Sequence, residues 1–171
     1  MPNAPTHDAI TLITAVGADV AYCQLAPHPD FTMAALFTAS YVFAGYACAG
    51  DLDLDSKEYR RWGPLRFIWW PYQKLIRHRS RLSHGLVVGG IFRLFYLFCF
   101  SLCLSWGGAY LFSLYIKSVD PTAFTRQNVL SLDTFVCGHP HEVAAAVLGF
   151  VLAGTVHSIA DFISTGLKRR F

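Results

Sequence analysis

The sequence predicts an all-α fold, an integral membrane bundle of about four helices, and its composition is the first reason. Hydrophobic residues make up 54% of the 171 residues, and charged residues only 15%. A soluble domain usually carries about 25% charged residues. Much of the surface is therefore expected to face something other than water. The length suits a single membrane-embedded domain that covers residues 1–171.

Long apolar runs separated by polar segments are the second reason. Strongly apolar helices are predicted at about 31–49, 85–116 and 142–167, and a weaker one, which contains Asp19, at about 8–25. About 20 apolar residues cross a bilayer, so the helix at 8–25 is marginal as a spanning segment. It either crosses, packs inside the bundle or lies partly at the interface.

The distribution of basic residues is the third reason, and it predicts a topology. Of the 14 Lys and Arg residues, eight lie in the loop 50–84 and three in the tail at 168–170. Basic loops stay on the cytoplasmic side, so four crossings would leave both termini in the cytoplasm of a multi-pass inner-membrane protein. A soluble four-helix bundle carrying the same charges remains the alternative.

The loop at 50–84 mixes aromatic and basic residues, most densely at 62–72. Trp and Tyr favour the headgroup level of a membrane, and basic residues favour anionic lipid. Membrane lipids are therefore expected partners, and no nucleic acid is expected. A helical hairpin packed over the end of the bundle is a compatible interpretation of the same loop.

His157 and Asp161 stand four residues apart inside the last apolar run. In a helix this spacing puts both side chains on one face, about one turn apart. Ionisable groups inside an apolar helix are costly and normally face a partner or a cavity. The pair predicts either a shared metal ion or a His–Asp hydrogen bond between two helices.

Three alternating carboxylates, Asp51, Asp53 and Asp55, follow the second apolar run. Close carboxylates repel one another, and a metal ion or guanidinium groups relieve that repulsion. The spacing resembles the start of a calcium loop, but the Gly and Glu that such a loop requires are absent. A solvated helix end paired with nearby arginines is the other interpretation.

A basic stretch leads into the third apolar run and carries His84, with Arg79 and Arg81 before it. The two arginines could bind an anionic group such as a phosphate. His7 begins the first helix; as part of a lone His7-Asp8 dipeptide it does not indicate an HD phosphohydrolase.

The predicted topology brings these residues to one depth at the cytoplasmic face. His7, the aspartates that begin at Asp51, His84 and the pair of His157 and Asp161 come from separate segments of the chain. Four segments that send metal-ligand residue types to one level indicate a common site. The remaining histidines, at 28, 139 and 141, are predicted on the opposite face.

These motifs resemble an uncharacterised bacterial family of metal-binding membrane proteins that is common in cyanobacteria. The resemblance runs from His7 to about Phe162, and its matching segments are 50–56, 60–64, 69–72, 78–80, 83–85 and 157–161. More distantly, the chain is similar to the YdjM-type inner-membrane metal-dependent hydrolases. Where that type has a His after its Asp-x-Asp, this chain has Leu54-Asp55.

The resemblance implies a metal site made by His7, Asp51, Asp53, His84, His157 and Asp161. Mixed His and Asp ligands suit a divalent ion such as zinc, manganese or iron. The first hypothesis is a metal-dependent hydrolase, with catalytic Asp51 and Asp53 and with Arg79 and Arg81 holding a lipid or phosphorylated substrate. A non-catalytic protein with a structural ion is the second hypothesis, and transport ranks last.

Overall fold

The computed structural model describes residues 4–48, 50–76 and 80–168, without the side chains of residues 4, 50, 81, 84 and 166–168. Within this part of the chain the fold is all-helical and contains no strand. In chain order the elements are α1 (Ala4–Leu25), α2 (Phe31–Ala47), an acidic 3₁₀ helix (Gly50–Asp53), α3 (Lys57–Arg61), a second 3₁₀ helix (Gly63–Trp69), α4 (Trp70–Leu75), α5 (Arg81–His84), α6 (Val88–Ser113), α7 (Pro121–Gly138) and α8 (Pro140–Lys168).

Helices α1 and α2 form an antiparallel hairpin. Thr14 Oγ1 and Tyr41 OH are hydrogen bonded at 2.7 Å, and Thr38 Oγ1 donates to Asp19 Oδ2 at 2.6 Å, nearer the connection. Asp30 caps α2 by accepting hydrogen bonds from the backbone N–H groups of its first turn. The start of α1 therefore lies beside the end of α2.

Among the described residues, helices α2 and α8 form the most extensive helix contact of the bundle. Ser40 Oγ donates to the carbonyl oxygen of Ala146 at 2.6 Å, and Gly149 lets the α8 backbone approach the carbonyl group of Phe37. Helix α6 joins them where Gly90 faces Val151 of α8. Helices α1, α2, α6 and α8 thus occupy the positions of the four predicted helices.

The segment between α2 and α6 packs as a helical cap over one end of the bundle. Trp69 and Tyr72 are fully buried, and the Trp69 ring stacks on Tyr96 of α6 at 5.6 Å between ring centroids. Trp62 Nε1 donates to the carbonyl oxygen of Ala47 at 2.7 Å. The segment therefore packs over the end of the bundle as a series of short helices, while Trp70 remains 57% exposed.

Helix α7 is additional to the four predicted helices and lies between those predicted at 85–116 and 142–167. It lies along α6, where Asn128 Nδ2 donates to Ser105 Oγ at 2.9 Å, and none of its described side chains is buried. Polar residues interrupt its apolar ones, so it has no continuous apolar run. Its start signal is present, because Asp120 caps the helix and Pro121 follows at the first position.

Three helical stretches in the described part of the chain have the length and apolar composition needed to cross a membrane. They are Phe31–Asp53, Val88–Ser113 and Pro140–Thr165. Helix α1 is not among them, in line with its predicted marginal character. The position of the bundle in a membrane remains a prediction.

Candidate metal centre

Helix α8 supplies two residues of the site, His157 and Asp161. Both side chains point into the bundle, and the two residues are 4% and 6% exposed. Their spacing of four residues places them one turn apart on the same helix face, as the sequence predicts. His157 Nε2 lies 3.5 Å from Asp161 Oδ2.

Helix α1 supplies the third residue, His7, in its first turn. The imidazole of His7 stacks on that of His157, with 3.9 Å between ring centroids and 19° between ring planes. His7 Nε2 lies 3.2 Å from Asp161 Oδ1. One carboxylate therefore faces two stacked imidazoles, and we call these three residues the His/Asp cluster.

The polar atoms of the cluster suit a divalent metal ion. His7 Nδ1, His157 Nε2 and both Asp161 oxygens are buried without a hydrogen-bond partner in the described part of the chain. The close approaches to Asp161 thus lack hydrogen-bond geometry. One ligand atom from each residue lies within 4.8 Å of the other two. Two imidazoles and a carboxylate are a donor set that zinc and similar ions accept.

The acidic 3₁₀ helix lies next to the cluster and is anchored by Leu52, which is fully buried. Asp51 is half-buried, and its negative charge acts on the imidazole of His157. Asp53 is buried, and its charge acts on Arg93 of α6. Asp51 is therefore near His157 of the cluster, and Asp53 is near Arg93.

Asp55, the third aspartate of the series, belongs to a different environment. It is exposed, and Arg60 donates to its two oxygens at 3.0 and 2.7 Å. The hydrogen bonds from Arg60 hold the pKa of Asp55 below its ordinary value. The interpretation of a solvated carboxylate paired with arginine fits Asp55, whereas Asp53 is buried rather than solvated.

The remaining predicted site residues fall on parts of the chain that the structure does not describe. Arg79 lies outside the described residues, and so do the side chains of Arg81 and His84. Helix α5, which ends at His84, packs against the acidic 3₁₀ helix. Its backbone is therefore close to Asp51 and Asp53.

The start of α1 is fixed by an ion pair next to His7. Arg61 of α3 donates to the two oxygens of Asp8 at 2.9 and 2.5 Å, and also to the carbonyl oxygen of Tyr46 at 2.8 Å. The hydrogen bond with Asp8 raises the pKa of Arg61 above its ordinary value. Asp8 thus faces the cap, whereas His7 faces the cluster.

Arg93 is a further buried charge near the site, and the sequence interpretation assigned it no role there. It is 1% exposed, and its charge acts on the imidazole of His157. The available signal was a lone cation in a long apolar run, which normally faces a partner or a cavity. The histidines predicted on the opposite face are exposed at positions 28, 139 and 141.

Comparisons with known proteins agree with a metal site. The model of the family described as "Uncharacterized metal-binding protein (DUF2227)" matches residues 2–171. A protein of Aquifex aeolicus (strain VF5), named "Uncharacterized protein", is 29% identical over 140 residues, which are 78% of this chain and 92% of that protein. No solved structure matches the chain.

Proposed function

We propose a function for this chain, which belongs to the DUF2227 family of uncharacterized metal-binding proteins. It is a multi-pass inner-membrane protein with metal-dependent hydrolase activity. The convergence of His7, His157 and Asp161 carries this proposal. These side chains come from opposite ends of the sequence and have buried ligand atoms without hydrogen-bond partners in the described residues. A hydrophobic interior tolerates such atoms only when something else binds them.

The His/Asp cluster would hold a zinc, manganese or iron ion, with Asp51, Asp53 and His84 beside it. Such an ion supplies Lewis-acid activation of water or of a substrate oxygen when it is bound. Asp51 or Asp53 would accept a proton from the attacking water, since a neighbouring carboxylate is a suitable general base.

A structural ion is the second candidate, and the burial of the cluster favours it. His7, His157 and Asp161 are all 4–6% exposed. Structural zinc sites are closed by four protein ligands, whereas catalytic sites keep one position open for water or substrate. The number of ligands from Asp51, Asp53 and His84 therefore separates the two candidates.

Lipids are the proposed partners of the cap. Leu65, Phe67 and Trp70 are exposed on its surface, close in sequence to Arg66 and Lys74. Exposed aromatic and basic side chains together favour the headgroup region of an anionic membrane. A lipid or phosphorylated substrate would be accessible at this level.

Metal analysis of the detergent-purified full chain tests the site. We expect His157→Ala and His7→Ala to lower metal affinity by about tenfold to a hundredfold or more, since even changes next to metal ligands cost that much. His139→Ala is the matched control, because His139 is exposed at the junction of α7 and α8.

Elemental analysis and zinc titration should show normal binding by the His139→Ala protein. Unchanged stoichiometry and affinity in both cluster variants would reject the metal site.

A further inference from the structure

Arg93 is a buried cation whose hydrogen-bonding capacity is only partly used. Its Nε donates to the carbonyl oxygen of Gly89 at 2.9 Å, and its Nη1 donates to that of Cys48 at 2.5 Å. Its Nη2 is buried and has no hydrogen-bond partner within the described part of the chain. A guanidinium group cannot lose its proton in a protein, so these N–H groups require an acceptor.

Two glycines lie against the Nη2 atom. A Cβ atom placed on Gly154 of α8 would lie 3.1 Å from Arg93 Nη2, and one placed on Gly89 would lie 3.3 Å from it. Any side chain at either position would crowd this nitrogen. The N–H groups of Nη2 therefore lie between the backbones of Gly154 and Gly89.

The position of Arg93 relates this atom to the metal centre. Gly154 precedes His157 by about one turn of α8, so Nη2 of Arg93, which lies beside Gly154, is about one helical turn from His157. The two carbonyl hydrogen bonds hold the guanidinium in place against the ends of α2 and α6. The free N–H groups are thus rigidly oriented next to the proposed site of reaction.

We propose that Arg93 Nη2 binds a phosphate oxygen of the ligand that reaches the metal centre; this rests on the proposed function. Guanidinium groups are preferred binding partners of phosphate. Arg93 is in the second turn of α6, about 8 Å from the helix start. The phosphate belongs either to a lipid or to a small soluble ester.

Gly154→Ala provides the sharpest test, because it adds one methyl group beside Nη2 and keeps the charge of Arg93. The full chain in detergent, with and without zinc, is titrated with inorganic phosphate by calorimetry. We expect the wild type to bind phosphate. Gly154→Ala should bind it at least about tenfold more weakly, which is the factor expected when a hydrogen bond to a charged group is lost. Arg93→Lys, which retains the charge but not the fork of donors, should weaken binding similarly.

Gly108→Ala is the matched control, since a Cβ at this position of α6 meets nothing within 4 Å. It should bind phosphate as the wild type does. Nanodiscs with phosphatidic acid or with phosphatidylcholine alone identify the source of the phosphate. Phosphatidic acid that competes with inorganic phosphate supports a lipid ligand, and a lack of competition supports a soluble one.

The outcomes separate this inference from the proposed metal site. Two results would overturn the role of Arg93 and leave the metal site intact. In the first, the protein binds zinc with wild-type stoichiometry but binds no phosphate. In the second, wild type, Gly154→Ala and Arg93→Lys bind phosphate with equal affinity. Loss of zinc binding in all preparations, with phosphate binding that still depends on Arg93, overturns the metal site instead.

Discussion

Asp51, Asp53 and Asp55 show how strongly position decides what a carboxylate can do. Three alternating acids have the same local sequence context, yet Asp53 is buried, Asp51 is half-buried and Asp55 is exposed. The fully buried Leu52 between the first two anchors them against the bundle. Asp51 is close enough to act on both His157 and Arg93, and Asp53 is close enough to act on Arg93.

We therefore predict that Asp51→Asn and Asp53→Asn each remove metal-dependent turnover by a factor of at least about 10², the lower range for a general base. Asp55→Asn should retain activity, because Asp55 is exposed and bound to Arg60. Turnover of phosphoesters, lipid phosphates and amides by metal-loaded protein is the measurement, with circular dichroism to verify the helices.

Absence of wild-type turnover on all three classes would favour a structural ion. Equal activity in the wild type and both Asn variants would leave a hydrolase and remove this assignment.

At the same scale, local spacing made part of the site predictable. His157 and Asp161 share a helix, so their common face follows from the helical repeat alone. To place His7 in the same site required the further expectation that one end of each helix lies at the same depth, at the cytoplasmic face. The role of Arg93 was not predictable, because the direction of its side chain depends on Gly154 of another helix and on the carbonyl group of Cys48.

At the scale of elements, the bundle depends on close contact between α2 and α8. A methyl group on Gly149 would overlap the carbonyl oxygen of Phe37 and the hydroxyl of Ser40. Small residues allow this approach, which is how helices associate where no water drives them together. The contact holds the His157-bearing helix against the helix that leads into the acidic 3₁₀ helix.

Gly149→Ala should destabilise the protein by about 1–3 kcal/mol, the usual cost of overpacking. Gly17→Ala is the matched control, since a Cβ there meets nothing within 4 Å and alanine favours the helix by about 1 kcal/mol. Unfolding of the detergent-solubilised proteins by heat or denaturant gives the comparison. Equal stability of the two variants would show that α2 and α8 do not pack this closely.

The elements were predictable to different degrees for physical reasons. The long apolar runs gave α2, α6 and α8 within a few residues of their ends, because hydrophobicity sustained over a bilayer-sized length is unambiguous. Helix α7 was missed because its apolar residues are interrupted by Arg126, Asn128 and Asp133. The cap was predicted as a segment, but the burial of Trp69 and Tyr72 depends on tertiary packing with Tyr96 of α6.

At the scale of the whole molecule, the bundle has two distinct ends. Four helix segments meet around the cluster, since His7 contacts Asp161 and Arg93 contacts Cys48. They are the start of α1, the end of α2, the second turn of α6 and the last turns of α8. The basic cap covers this same end. A bundle placed across a membrane would therefore present its metal site and most of its positive charge on one side.

This geometry constrains the crossings. Helix α6 begins and α8 ends beside the cluster, so these two helices run in opposite directions through any membrane they cross. The connection that contains α7 must then begin and end on the far side of such a membrane. Helix α1 runs antiparallel to α2 through the Thr14–Tyr41 and Asp19–Thr38 hydrogen bonds, so it would cross with α2.

The last prediction is the resulting topology, in which both termini and the cap are cytoplasmic and the connection that contains α7 is outside. The positive-inside rule sets the orientation, since eleven of the 14 basic residues lie in the cap region and the tail. Alkaline phosphatase fused after Phe171 or inserted near Asp55 should be inactive, because it folds only outside the cytoplasm. The same reporter inserted at Lys117 or at His139 should be active at both sites.

Different reporter activity at Lys117 and His139 would mean that α7 crosses the membrane, in conflict with the common end of α6 and α8. Activity after Phe171 would reverse the orientation and place the metal site outside. Release of the untagged protein from membranes by alkaline carbonate would support the soluble four-helix bundle instead. A cytoplasmic site remains the expected result, because burying the apolar faces of α2, α6 and α8 in lipid with the basic cap inside satisfies hydrophobicity and charge together.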